Sequence, residues 1–214
     1  MPYDFDITYN DLNPTVFYVS KSEMVNDGIY HDHDFAELAY ILSGKGKYLI
    51  DGVEYEVQAG DLIFCNPGVK HTHVVVNPKD PTVEFISGFT DFHFKNMPPN
   101  SIITKDQSYI IHTSAELKQE MIIHCNAMIA EKESDKPGKY FMFKTHIMQM
   151  LLLLVREVTE VKGTKQKGYN FESYNKSYAV NRIINYLNEN YEKKISLENI
   201  AENGYKSAEV LEKI

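Results

Sequence analysis

Four things are scarce in this sequence, and each scarcity removes a class of protein. Cysteine occurs only at positions 65 and 125, with no CxxC pair. Two isolated thiols make no disulfide framework and fit a reducing compartment. Long apolar runs are missing: the richest, MLLLLV at 150–155, falls far short of the roughly 20 residues that a membrane span needs. The opening residues, MPYDFDITYND, are acidic and hold no apolar stretch of the kind a secretory signal requires. Positive charge is in deficit, with 22 Lys plus Arg against 30 Asp plus Glu for a net −8, so the whole chain lacks the electrostatic footprint of a nucleic-acid binder. The expectation is a cytoplasmic protein with no membrane partner, in which any DNA contact is local.

What is present is ordinary globular material. Hydrophobic residues are 43% and charged residues 24% of 214, a length that suits one full domain and part of a second. The first third reads as short strands and tight turns. KGKYLIDGVEYEVQAGDLIF has two β-rich runs hinged on Asp51-Gly52, a strong hairpin signal because both turn residues must accept positive φ. Pro67-Gly68 marks another turn, and 71–76 and 82–94 read as further strands, which implies an antiparallel sandwich or barrel. Residues 1–20 read either as an edge strand or as an arm over the barrel.

The period then changes from two to 3.6. Thr113 and Glu116 fit a capping box, and Leu117, Met121, Cys125, Met128 and Ile129 continue at helical spacing to about Lys132. Asp135-Lys-Pro-Gly138 breaks that helix, and a second is expected from about Tyr140 to Val161. Its broad stripe of Phe143, Ile147, Met150, Leu151, Leu154, Val155 and Val158 suits a helical hairpin packed on the barrel or on a second copy of the chain. KGTKQKGYNFESYNK, with four Lys and one Glu, reads as a linker. Beyond it come a helix over SYAVNRIINYLNENY, a short helix capped by Ser196 and the start of another at Ser207, at helix-turn-helix spacing.

HDHDFAELAY, residues 31–40, carries the densest chemistry. His31 and His33 are two apart and face the same side of a strand; Glu37 shares that parity if the strand is unbroken, and His71 follows the PGVK turn. Three readings stay open: a metal site, metal-free contacts to a polar ligand, or polar residues lining a cavity for structural reasons. Tyr40, Tyr48, Phe64 and Phe92 either offer stacking faces to a ligand or fill the core.

The pattern HxH(x)3E(x)6G from His31 to Gly44, together with GDLIFCNPGVKH from Gly60 to His71, resembles the two motifs of the cupin family. In metal-binding cupins, positions like His31, His33, Glu37 and His71 supply three imidazoles and a carboxylate to Fe, Mn, Ni or Zn. The longer run HDHDFAELAYILSGKGKYLIDGVEYEVQAGDLIFCNPGVKH is similar to the ligand-sensing domain of AraC-type transcription regulators, and IINYLNENYEKKISLENIAE resembles the opening of that family's DNA-binding domain. The resemblance covers about residues 28–76 and 180–211.

It implies a mainly β fold with α: a cupin-like jelly-roll barrel (double-stranded β-helix), a helical hairpin and the start of an all-α helix-turn-helix domain. The implied domains are 1–163 for ligand sensing and dimerisation, 164–176 as linker, and 177–214 as a truncated DNA-binding part with Lys206, Ser207 and Lys213 toward DNA. It further implies a homodimer that is not an enzyme and binds a small polar effector such as a sugar, with no cofactor required and a transition metal as an open option. Departures stand against full DNA binding: Gly204 occupies an apolar turn position, Glu209 and Glu212 would repel phosphates, and residues 177–214 carry five Lys plus Arg against six Glu. The rival reading is a metal-dependent cupin enzyme, a dioxygenase or isomerase.

Overall fold

The computed structural model describes residues 11–158, 183–184, 186–193 and 195–200. The chain divides into two units, Met1–Lys162 and Gly163–Ile214. Among its described residues the first holds eight strands and two helices: β1 (Leu12–Glu23), β2 (Ala36–Ser43), β3 (Lys45–Ile50), β4 (Val53–Gln58), β5 (Asp61–Cys65), β6 (His71–Val74), β7 (Val83–Phe92), β8 (Ile110–His112), α1 (Ala115–Lys132) and α2 (Lys139–Val158).

All strand pairs are antiparallel, in a five-stranded sheet of order β1-β7-β2-β5-β8 and a three-stranded sheet of order β4-β3-β6. The Asp51-Gly52 turn forms as its residue types dictate, with φ of 47° and 81°, closing the β3–β4 hairpin at Ile50↔Val53. Strand alternation then sorts side chains into two cores. Ala39, Ile41, Ile63 and Cys65 of the larger sheet meet Tyr48, Ile50 and Val57 of the smaller one and fill the space between the sheets. Leu38, Tyr40, Leu62, Phe64, Phe85, Phe89 and Phe92 point the other way and bury against α1 and α2.

The structure differs from the sequence expectations at several points. The cap of α1 is Ser114, whose Oγ accepts from Leu117 N at 3.2 Å; Thr113 instead donates its hydroxyl to Gly60 O at 2.5 Å, tying the helix start to the β4–β5 turn. Residues 31–35 are not a strand: His31 makes an isolated bridge with His71, and β2 begins only at Ala36. β1 lies at the edge of the larger sheet, the edge-strand alternative for that segment; residues 1–10 lie outside the described residues.

Helix α2 buries Ile147, Met150, Leu151, Leu154 and Val155 and leaves Tyr140, Phe141 and Met142 exposed; the expected extension through 159–161 lies outside the described residues. In the second unit, Ser196 caps the one-turn helix α3 (Leu197–Ile200), its Oγ accepting from Asn199 N at 3.3 Å. The expected linker 164–176 and the DNA-facing candidates Lys206, Ser207 and Lys213 lie outside the described residues. Among the described residues no helix is long and apolar enough to cross a membrane.

Candidate functional site at the barrel mouth

The irregular segment before β2 and the start of β6 bring His31, His33, Glu37 and His71 together. The reciprocal bridge between His31 and His71 (N to O distances 3.2 and 2.8 Å) pins the loop to the strand. One donor atom from each of the four side chains lies within 4.8 Å of every other. His31 Nε2 is 3.0 Å from His33 Nε2, His33 Nε2 is 3.5 Å from Glu37 Oε2, and His71 Nε2 is 2.9 Å from Glu37 Oε1. The group grades from solvent inward, with side chains 22%, 11% and 4% exposed at His33, Glu37 and His71.

Two backbone carbonyls orient the imidazoles. His31 Nδ1 sits 2.6 Å from Ile29 O and His71 Nδ1 2.9 Å from Val69 O, so in each ring Nδ1–H donates outward and Nε2 faces the cluster. When a ring so held is neutral its lone pair lies on Nε2, so His71 offers one only after giving up the proton it shares with Glu37. His33 is held by a stack on Phe35, with centroids 4.4 Å apart and planes 10° from parallel.

The electrostatics follow from half-burial beside a carboxylate. Burial alone would raise the Glu37 carboxyl, but hydrogen bonds from His71 and Tyr18 and the nearby imidazoles hold it below its ordinary value. Burial pushes the His71 imidazolium down, yet hydrogen bonds to Cys65 and Glu37 outweigh it and hold the ring up at about 11. Burial also lowers His33, with Glu37 opposing. His71 and Glu37 are therefore a charged pair when nothing else is bound.

The donor set fits a first-row transition ion: three imidazole nitrogens and one carboxylate suit Zn, Fe or Ni, and the Ile29 and Val69 carbonyls that accept from Nδ1 are of the kind that ligating histidines use. When bound, such an ion supplies a Lewis acid. Equally, the same four groups can hold hydroxyl or carboxylate groups of an organic ligand through directed hydrogen bonds.

Of the aromatic candidates, Tyr40, Phe64 and Phe92 do not join this cluster. Their strand parity sends them to the helix-facing core, where Tyr40 donates to Lys118 O at 3.3 Å and Phe64 and Phe92 pack edge to face with centroids 6.3 Å apart. Tyr48 lies between the sheets and donates to the buried Glu84, which also accepts from Thr82 Oγ1 at 2.7 Å.

Sequence reasoning missed Tyr18 and Phe35. Tyr18 donates its hydroxyl to Glu37 Oε2, and Phe35 packs against both Tyr18 and His33. An open cleft of about 530 Å³ lies near the opposite end of β3, where Lys45 and Lys47 begin the strand that ends beside His71. Two of its lining side chains have close partners: Lys47 pairs with Glu54 at 2.9 Å, and His112 Nδ1 lies 2.8 Å from Asp61 Oδ1.

A cupin-domain family model matches residues 22–89, from the end of β1 through most of β7 and including all four clustered residues. Over that stretch the chain is similar to a cupin domain. An Escherichia coli K12 protein called uncharacterized HTH-type transcriptional regulator YdiP is 23% identical over 173 residues, 80% of this chain and 55% of the relative. The chain spans about half the length of that curated relative. Solved structures with similarity include YhaK from Escherichia coli (14% identity, 46% of each chain, TM-score 0.34). An RmlC-like cupin from Shewanella frigidimarina (20% identity, 41% of this chain and 83% of that one, TM-score 0.31) is also similar. So is the DMSP lyase DddQ from Ruegeria pomeroyi (20% identity, 41% and 42%, TM-score 0.32).

Proposed function

We propose that this chain is the sensing part of a ligand-responsive transcription regulator of the AraC type. Its barrel mouth binds a small polar metabolite, a sugar or related compound, and thereby controls a DNA-binding domain to which residues 177–214 contribute the beginning. The observation that carries this reading is the convergence of His31, His33, Glu37 and His71 with both bridged imidazoles aimed inward by backbone carbonyls. The regulator relative supports it. Such a site recognises its guest and does not transform it.

In this reading the protein works as a homodimer in the cytoplasm. The exposed Tyr140, Phe141 and Met142 of α2, with Ile123 of α1, support a self-complementary helical interface. Ligand would bias the arrangement of two subunits, and a coupling of roughly 1–3 kcal/mol would change DNA occupancy about 5- to 150-fold. A second reading, a metal-dependent cupin enzyme, is favoured by the completeness of the donor set.

One experiment separates them: elemental analysis of purified protein beside a thermal-shift screen of sugars and small acids, with and without chelator. The sensor reading predicts a stabilising metabolite whose effect disappears in Glu37→Ala. Metal at one per chain, required for turnover of a cupin substrate, overturns it.

A further inference from the structure

A register shift in β1 is the starting point. Val16 pairs with Phe89 and Tyr18 with Gly88, so Phe17 is an extra residue bulged out of the ladder. Without the bulge, strict alternation would put Val16 and Tyr18 on one face and Val19 on the other. With it, Val16 and Val19 both enter the helix-facing core, while Tyr18 turns to the opposite side and reaches Glu37.

Gly88, directly across from Tyr18, makes the room. A Cβ there would stand 2.5 Å from Tyr18 Cε1 and 2.7 Å from Phe35 Cε2, closer than real carbon contacts occur. The bulge and the glycine together lay the Tyr18 ring beside Phe35 and set its hydroxyl on the Glu37 carboxylate.

From these features we infer that Tyr18 is a positioning residue for Glu37 and that β1 relays occupancy of the cluster to helix α2. The inference rests on the reading of His31, His33, Glu37 and His71 as a guest site, and it adds the route by which that site reports. The four donor atoms spread to as much as 4.8 Å, wider than the separation of roughly 4 Å that metal–ligand bonds near 2.1 Å permit, so an ion there draws them in. Glu37 is one of the four donors, and the Tyr18 hydroxyl is tied to it, so any movement of that carboxylate reaches β1. On the other face of the same strand, Val16 and Val19 share one core with Ile147, Met150, Leu151, Leu154 and Val155 of α2. Displacement of a packed strand repacks what lies behind it, because close-packed interiors transmit strain.

The test uses Zn²⁺ alone as probe on the full chain. Calorimetry gives affinity, and hydrogen exchange at saturating Zn²⁺ gives the response of residues 139–158. Wild type is expected to bind one Zn²⁺ at the cluster and to change exchange in both β1 and α2. Tyr18→Phe should weaken binding by about tenfold, as loss of an outer-shell partner does. At saturation it should protect the 31–37 segment without changing α2. Val19→Ala, which leaves the cluster intact, should keep wild-type affinity and lose most of the α2 response. A retained α2 response in Tyr18→Phe, binding to wild type with α2 unmoved, or failure of wild type to bind Zn²⁺ overturns the relay; the site reading falls separately, if no metabolite stabilises the chain through Glu37.

Discussion

The two faces of the five-stranded sheet are built from the same strands and differ in almost everything else. Toward the helices, Leu38, Tyr40, Leu62, Phe64, Phe85 and Phe89 form a continuous apolar layer closed by α1 and α2. Toward the smaller sheet, Ala39, Ile41, Ile63 and Cys65 give a thinner apolar layer. That side also carries Glu84 under the sheets and Glu37 with its histidines at the mouth. One face is made for stability and the other gives up apolar burial for placed polar groups. Away from the mouth the space between the sheets is filled by side chains, so the histidine cluster stands at one end.

Substitutions on each face sharpen or break this contrast. The largest effect belongs to the helix side: Phe89→Ala should cost about 3–5 kcal/mol, read as a lower urea midpoint, because a fully buried ring leaves a cavity. Zn²⁺ binding should survive in whatever fraction stays folded. Across the sheet, Glu37→Ala should weaken Zn²⁺ binding by at least about 100-fold, since a direct ligand matters more than the groups that orient it. Its urea midpoint should fall less than that of Phe89→Ala, because His71 can give up its proton once the carboxylate is gone. Equal stability losses from the two substitutions would erase the distinction.

Gly88→Ala sits where the faces communicate. Its Cβ must displace Tyr18 or Phe35, so a loss of about 1–3 kcal/mol is expected, with weakened Zn²⁺ binding in the same variant. The smallest effect is a pH dependence on the helix side. His124 and His146 lie with Nδ1 atoms 3.1 Å apart between α1 and α2.

Both imidazoles are held below their ordinary value, first by burial; His146 adds to the lowering of His124, while Glu120 and Glu131 oppose it at His124 and His146 respectively. A depressed folded value means that the unfolded chain takes up protons first. This contribution is intact above 6.5 and is lost as pH falls through the lowered folded values. Melting temperatures should therefore drop more between pH 7.5 and 5.5 in wild type than in His146→Asn, and an identical drop would contradict the assignment.

Much of this was legible in the sequence where a local rule decides the structure. Asp51-Gly52 forces a hairpin, a 3.6-residue period marks α1 and α2, and residue type and spacing single out His31, His33, Glu37 and His71, which the fold brings together. What failed were inferences that need strand parity across irregularities. Tyr40, Phe64 and Phe92 were aromatic and near the motif, but which face they take depends on where β2, β5 and β7 begin, and that placed them under the helices. Tyr18 was hidden for the same reason, since a bulge at Phe17 reverses the alternation that counting assumes. His31 and His33 converge through a loop pinned to β6 and not through a shared strand.

The most direct measurement is long-range ¹⁵N NMR of the imidazole nitrogens while one equivalent of Zn²⁺ is added to metal-free protein. The account predicts that Nε2 of His31, His33 and His71 shift together and saturate at one ion per chain, while Nδ1 of His31 and His71 stays protonated on its carbonyl. Independent titration of the three rings, or metal taken through Nδ1, would contradict it.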